Sequence, residues 1–348
     1  MLRKRRQHQE RGHMSHRILQ TGQQTCHGAN GEALDCTDSR HDAFYSIGRL
    51  WPQPRFETQG PLVIDRATDL TWCRDAGIAE FPMTWQEALA WIARQNEQAL
   101  YGHRDWRLPN RRELRSLISH QTRRPALPDD HPFDGVFCGW YWTSTSAAIS
   151  PSHAWYVDMD GGRMFYGGKD QSYMVWPVRG NPAPWLAATG QERCFDDAGS
   201  PLPCDGSGQD GERQIGARLP QSRFTTAGDG IRDDLTGLIW YHDANLTHGG
   251  VDWQSALDAI AALNDRARED VAWRLPNINE LESLVDCSRH SPALADGHGF
   301  ANLGDTYWSA TTSMYEPTWA WALYLNKGAV GVGEKTQARF RVWAVRSG

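Results

Sequence analysis

No apolar run in these 348 residues is long enough to span a bilayer, so no membrane-crossing helix is expected. Residues 1–17 hold six Lys/Arg against one Glu. They contain no apolar core of about seven to fifteen residues, and so do not read as a secretory signal. They read as a basic, disordered arm or a mis-chosen start, with Met14 as the alternative first residue. Cations are scarce beyond them: the remainder has 30 Lys/Arg and 41 Asp/Glu. Nucleic acid is therefore not an expected partner, because neutralising phosphates takes clustered Lys and Arg. No Ser/His/Asp set, paired-carboxylate motif or phosphate loop stands at recognisable spacing, so no catalytic residue and no cofactor are expected. "DGSGQDG" (205–211) faintly resembles a calcium loop but lacks the fifth-position oxygen ligand and the closing Glu, so no metal is assigned.

What the chain has in quantity is tryptophan, 17 copies, beside 33 glycines. Large flat side chains joined by tight turns favour a loop-rich, partly β architecture over a helical bundle. The seven cysteines fall into a pattern. Cys26 and Cys36 bracket nine residues, as do Cys194 and Cys204, each around a Gly with Asn or Asp as in a hairpin turn. Facing cysteines across a hairpin satisfy disulfide geometry, whereas a zinc site would want a second close pair or spaced histidines. Cys73 and Cys138 have no counterparts in the second half, where Tyr241 and Gly304 stand, and are read as a third pair. Cys287 is left over. "DCSRH" places His290 three residues on, which could make a reactive or metal-binding thiol; a small, partly buried residue at a helix end is the expected role. Three disulfides would imply an oxidising, extracytoplasmic compartment: periplasm, cell surface or medium.

The same phrase occurs twice: "WRLPNRRELRSL" (106–117) and "WRLPNINELESL" (273–284) share nine of twelve positions. "VIDRATDLTW" (63–72) matches "IRDDLTGLIW" (231–240), and "MTWQEALAWIARQN" (83–96) matches "VDWQSALDAIAALN" (251–264). "YWTSTS" (141–146) matches "YWSATT" (307–312), and "VWPVRG" (175–180) matches "VWAVRSG" (342–348). A period near 167 residues is too long for a solenoid and means domain duplication. The expected organisation is an arm (1–17), a first domain (18–180), a Pro-rich link "NPAPW" (181–185) and a second domain (186–348).

Within a copy, "VIDRATDLTW" reads as strand, turn, strand. Thr84 caps a helix with Glu87 completing a capping box, and Trp85, Ala88, Leu89 and Ile92 form its apolar face. Asp252, Trp253, Ala256, Leu257 and Ile260 repeat this arrangement. In the repeated phrase Pro109 ends the preceding structure, Asn110 caps a second helix and Glu113 bonds back to the cap. Leu114, Leu117 and Ile118 face inward, as do Leu281, Leu284 and Val285, with Trp106 and Leu108 as core anchors. Arg107 could be a ligand-binding cation, but an inward stem over a Trp face is the more ordinary role. The phrase is scaffolding. After it come short aromatic and β-branched runs: "WYWTST", "AWYVDM", "GRMFYGG" and "VWPVR".

The ordered series "DLTW…TWQEALAW…WRLPNRRELRSLI…YWTSTS…AWYVDMDGG…VWPVRG" resembles the Legionella collagen-like protein C-terminal (Lcl C-terminal) domain family over nearly all of both copies. The resemblance implies an α+β, C-type-lectin-like fold: two helices packed on short twisted antiparallel sheets, duplicated in tandem, with loops presenting the ligand surface. It also implies a secreted or surface-exposed bacterial adhesin of glycosaminoglycan-like polymers. The calcium triplets of sugar-binding C-type lectins are missing; "EPT" (316–318) and "LND" (263–265) are near misses.

The expected function is thus a non-catalytic, tandem lectin-like protein that binds an extracellular glycan or polymer. Candidate ligand residues are the aromatic and polar side chains of the strand region. They are Trp155, Tyr156, Asp158, Asp160 and Arg163, with Tyr166 and Lys169, in the first copy. In the second they are Trp319, Trp321, Tyr324, Asn326 and Lys327, with Lys335. Strand alternation should send many of them inward. Two alternatives stand beside this. One is an enzyme like the formylglycine-generating oxidases, which use a close thiol pair and would be favoured by two or more free thiols. The other is a structural or assembly module of the envelope whose partner is an envelope protein.

Overall fold

The computed structural model describes residues 17–267 and 272–348, so the basic arm lies outside it except for Arg17. In chain order, a two-stranded hairpin (β1, Cys26–His27; β2, Ala33–Leu34) leads to a single-turn helix, α1 (Asp42–Tyr45). Then come β3 (Phe56–Gln59), β4 (Leu62–Asp65), β5 (Leu70–Cys73), α2 (Trp85–Glu97) and α3 (Arg111–Arg115). The first copy ends with β6 (Trp140–Ser146), β7 (His153–Asp158), β8 (Met164–Gly168) and β9 (Val178–Arg179). The second repeats the order: β10 (Cys194–Phe195), β11 (Pro201–Leu202), α4 (Asp210–Arg213), β12 (Phe224–Ala227), β13 (Gly230–Asp233) and β14 (Leu238–Tyr241). It continues through α5 (Trp253–Arg266), α6 (Ile278–Ser283), β15 (Thr306–Thr312), β16 (Trp319–Tyr324), β17 (Ala329–Glu334) and β18 (Val345–Ser347). The architecture is mixed α and β, with few helices and several small antiparallel sheets.

Local chemistry explains the elements. Thr84 and Glu87 form the reciprocal capping box that starts α2, and its buried face is Trp85, Ala88, Leu89 and Ile92. Asp252 caps α5 through the Ser255 N–H, over Trp253, Ala256, Leu257 and Ile260. The repeated phrase builds the starts of α3 and α6: Asn110 with Glu113, and Asn277 with Glu280, are full capping boxes. Each box carboxylate also takes a buried arginine, Arg107 on Glu113 and Arg274 on Glu280. Arg107 is therefore structural, and its guanidinium meets a carboxylate where a Trp face was expected. The β4–β5 turn is built on Asp65, which accepts from the Ala67 N–H and the Thr68 hydroxyl while pairing with Arg55 at 2.9 and 2.8 Å. Arg55 also donates to Ser116 O at the end of α3, locking hairpin to helix. Arg223, Asp233, Leu235, Thr236 and Ser283 repeat the device. Twelve of the 17 tryptophans are fully buried, so the tryptophan surplus is mostly core.

The two copies share one body. The three-stranded sheets β6–β7–β8 and β15–β16–β17 meet edge to edge, Met164 opposite Val330, in a six-stranded sheet ordered β15-β16-β17-β8-β7-β6. Behind it α3 and α6 interlock: Arg111 donates to Gly328 O at 2.6 Å and Arg112 to Val285 O at 2.6 Å. Leu114, Ile118, Leu281, Val285 and Trp321 belong to one continuous core.

The cysteine hairpins do not stay with their own sequence repeats. Residues 18–49 dock on the second copy. Thr311, from β15, and Thr21 both donate to Asp42 Oδ2 at 2.7 Å, and Gln23 bonds Thr312 through both its amide groups. Lys335 donates to His27 O and Gly28 O, and Asn277 to Ile47 O. Residues 186–217 dock on the first copy by the same set. Thr145 and Thr189 donate to Asp210, Gln191 pairs with the Ser146 backbone, Lys169 donates to Phe195 O and Asp196 O, and Asn110 to Ile215 O. The link explains the second placement: the Ala183 N–H donates to Thr68 O. Five residues reach only about 17 Å, so the hairpin segment after β9 stays on the first copy. Each segment also keeps bonds to its own repeat, Thr21, Gln23 and Gln24 to His120 and Gln121, and Thr189 to Cys287, so both segments bridge the two copies.

Cys26–Cys36 and Cys194–Cys204 are disulfides, as the spacing implied, and are compatible with an extracytoplasmic location. Cys73 and Cys138 are not a pair, which corrects the third assignment. Cys73 is turned into the first copy's core with no exposed surface, whereas Cys138 is exposed in the loop before β6. Cys287 is a buried residue just after α6, as expected, its N–H on Thr189 O.

The exchange has a pH signature. Complete burial pushes the Asp42 and Asp210 carboxyls up to about 6. The folded chain then holds more protons than the unfolded one between about pH 4 and 6, so their contribution is greatest below pH 4 and is lost as pH rises through 6. The D42N/D210N double variant should gain on wild type across that window, by up to about 3 kcal/mol per carboxyl. Urea unfolding at pH 4, 5, 6 and 7 checks this; a pH-independent difference would refute it.

Candidate functional site

Strand pairing sets two adjacent rows on the face of the six-stranded sheet away from α3 and α6, since alternate residues of a strand share a face. One row runs Trp142, Tyr156, Phe165, then across the joint Ala329, Tyr324 and Thr306. The other runs Trp140 and Asp158 to Arg163, then Gly331, Ala322 and Trp308. Trp142, Trp308, Ala322 and Ala329 of these rows are fully buried, Trp308 and Ala322 in one core with α5, so the open part of the face lies at the first copy's outer strands.

The first copy's half of this face is an aromatic platform. Trp140 meets Tyr156 at 5.8 Å and Tyr173 at 5.2 Å between ring centroids, Tyr156 meets Tyr173 at 5.1 Å, and Tyr173 lies 4.2 Å from Trp142. Trp140 is 47% exposed, the one exposed tryptophan among the described residues. The Tyr173 hydroxyl donates to Gln171. Burial pushes the Asp158 carboxyl above the usual carboxylate range, and burial beside Tyr173 and Asp158 pushes the Tyr156 hydroxyl up to about 12. Arg163 is exposed, and Lys327 places its ammonium 5.3 Å from the Phe165 ring across the joint. The second half is small where the first is large: Thr306, Ala322 and Gly331 stand where Trp140, Tyr156 and Phe165 do.

Of the residues anticipated from sequence, Tyr156, Asp158, Arg163, Tyr324 and Lys327 come together on this face. Asp160 sits at its margin, paired with Arg124 at 2.7 Å, and Arg124 in turn donates to Tyr315 of the other copy. Trp155 and Trp321 point the opposite way: Arg111 lies 4.0 Å over the Trp155 ring and His120 packs on Trp321 at 4.7 Å. Tyr166 lies edge-on to Trp155. Trp319 is half-buried, and Asn326 is engaged through its backbone with Asp305 and Ser291. Lys169 and Lys335 are buried over Trp85 and Trp253 and hold the exchanged hairpins, their ammonium groups pushed down to about 7 by burial. These last side chains are corrected from surface to interior roles. Trp140 and Tyr173 were missed. The alternation of "GWYWTS", which puts Trp140 and Trp142 on one face, carried a signal for Trp140; Tyr173 arrives from a loop.

Among the described residues no group of three or more His, Cys, Asp and Glu stands where it could share a metal ion, and no helix is long and apolar enough to cross a membrane. No curated protein matches the chain. The Lcl C-terminal domain family matches residues 61–179 and 229–346. Both exchanged cysteine hairpins lie outside those segments. With more than half its length matched, the chain belongs to the Lcl C-terminal domain family, in two copies.

Proposed function

We propose that the chain is a non-catalytic binding protein of C-type-lectin-like type, acting outside the cytoplasm, whose ligand is an extended glycan-like polymer. The observation that carries this is the exposed ring of Trp140 beside Tyr156, flanked by Asp158 and Arg163, on the outer strands of the six-stranded sheet. Aromatic faces stack on the apolar sides of sugar rings while carboxylate and guanidinium groups take the hydroxyls. The first copy supplies the platform, and the second extends the sheet and supplies Tyr324 and Lys327. The oxidase-like alternative gains three free thiols, none of them joined to another. Cys73 and Cys287 are buried in different copies, Cys138 is exposed, and burial pushes the Cys287 thiol up to about 11.

Pull-down on immobilised neutral, uronic and sulfated polysaccharides tests the proposal. W140A and Y156A should each weaken retention at least tenfold, while Trp319→Ala should leave it within twofold. Absence of polymer binding, or equal loss in all three variants, would remove the glycan reading.

A further inference from the structure

The exchanged segments leave a second feature unrelated to the sheet face: a recess of about 80 Å³ between α3, α6 and the starts of both cysteine segments. Its walls include Leu19, Ile118, Leu186 and Leu235, all buried. Its polar end is Arg115, 6% exposed, with Arg112 beside it. Arg115 Nη2 donates to Asn279 Oδ1 at 3.1 Å and lies 3.4 Å from His120 Nε2, while Nη1 is buried without a hydrogen-bond partner. Burial holds His120 well below the usual imidazole range, so it supplies no charge, and Arg115 itself is pushed down to about 10.

The charges around the recess do not balance. Arg17, Arg112 and Arg115 line the recess with one carboxylate, Glu282, which pairs with Arg111 at 3.4 Å and Arg112 at 3.6 Å and reaches Arg115 only at longer range; Arg115 has no ion pair among the described residues. A buried guanidinium with no carboxylate in direct contact and a donor left open is costly. An anion in the recess would satisfy both deficits. Its apolar walls favour an anion with a hydrocarbon part. At roughly 10–15 Å³ per water-sized group the recess accommodates about five to eight non-hydrogen atoms.

We infer that this inter-copy recess is a binding site for a small aliphatic monocarboxylate of about four carbons, its carboxylate on Arg115 and its chain against Leu19, Ile118, Leu186 and Leu235. Such a ligand touches both copies and both exchanged segments.

Isothermal titration of the intact chain with sodium butyrate tests this, with butan-1-ol and sodium chloride as comparisons. One saturable butyrate site is expected, with butanol at least tenfold weaker and chloride giving no saturable signal. Arg115→Met should lose butyrate affinity tenfold or more. Ala187→Leu, on the recess wall, keeps Arg115 but fills the space and should lose it as well; it carries the test if Arg115→Met does not fold. No saturable butyrate binding, or wild-type affinity in the folded variants, overturns the assignment.

Discussion

Removing residues 18–49 should loosen the second copy, 200 and more residues away in sequence, and leave the first copy's strands nearly intact. The deleted segment makes at least seven side-chain hydrogen bonds to the second copy, through Thr311, Thr312, Lys335, Asn277 and Asn279. Water replaces the lost partners once the segment is gone, so each bond is worth only about 0.5–1.5 kcal/mol. Their sum is still about 4–10 kcal/mol, comparable to the whole stability of many domains. The ring contact of His41 with Trp253 is lost as well. Hydrogen exchange read by mass spectrometry should show protection falling in β15 and α5 while β6 and α2 keep theirs. Loss confined to the first copy would contradict the exchanged arrangement.

The second large effect concerns the buried turn carboxylates. Asp65→Ala or Asp233→Ala leaves a guanidinium with about 1% exposure, Arg55 or Arg223, without its carboxylate. It also removes the acceptor for one backbone N–H and one threonine hydroxyl in each turn. Breaking a buried pair from one side costs about 3–5 kcal/mol. Because Arg55 and Arg223 also hold the ends of α3 and α6, the loss should appear as a lower urea midpoint for the whole body, not as fraying of one hairpin. A cost below about 1 kcal/mol would mean that water reaches the arginine and relieves it.

Short-range features were legible because their causes are short-range. The capping boxes at Thr84, Asn110 and Asn277 need only the right residues three positions apart. The two disulfides span ten positions across a turn. The site was half legible. Alternation along a strand tells which residues share a face, but not which face is covered: Arg111 lies on Trp155, while Tyr156 faces the other way. Cys73 and Cys138 misled for a related reason: their joint absence from the second copy says nothing about whether their side chains point toward each other.

Two sibling copies, their helices and caps, their indole-rich cores and the two hairpin disulfides all follow from local pattern. Periodicity, capping and loop closure act over a few to about a dozen residues, so they can be read along the chain. Tertiary packing alone set each cysteine hairpin against the other copy, joined two half-sheets into one, and buried Arg115 with no ion pair among the described residues. Those outcomes depend on which surfaces meet across more than 100 residues. Siblings with the same local patterns offer each hairpin two similar docking surfaces, and only the short link and the packed interface select between them.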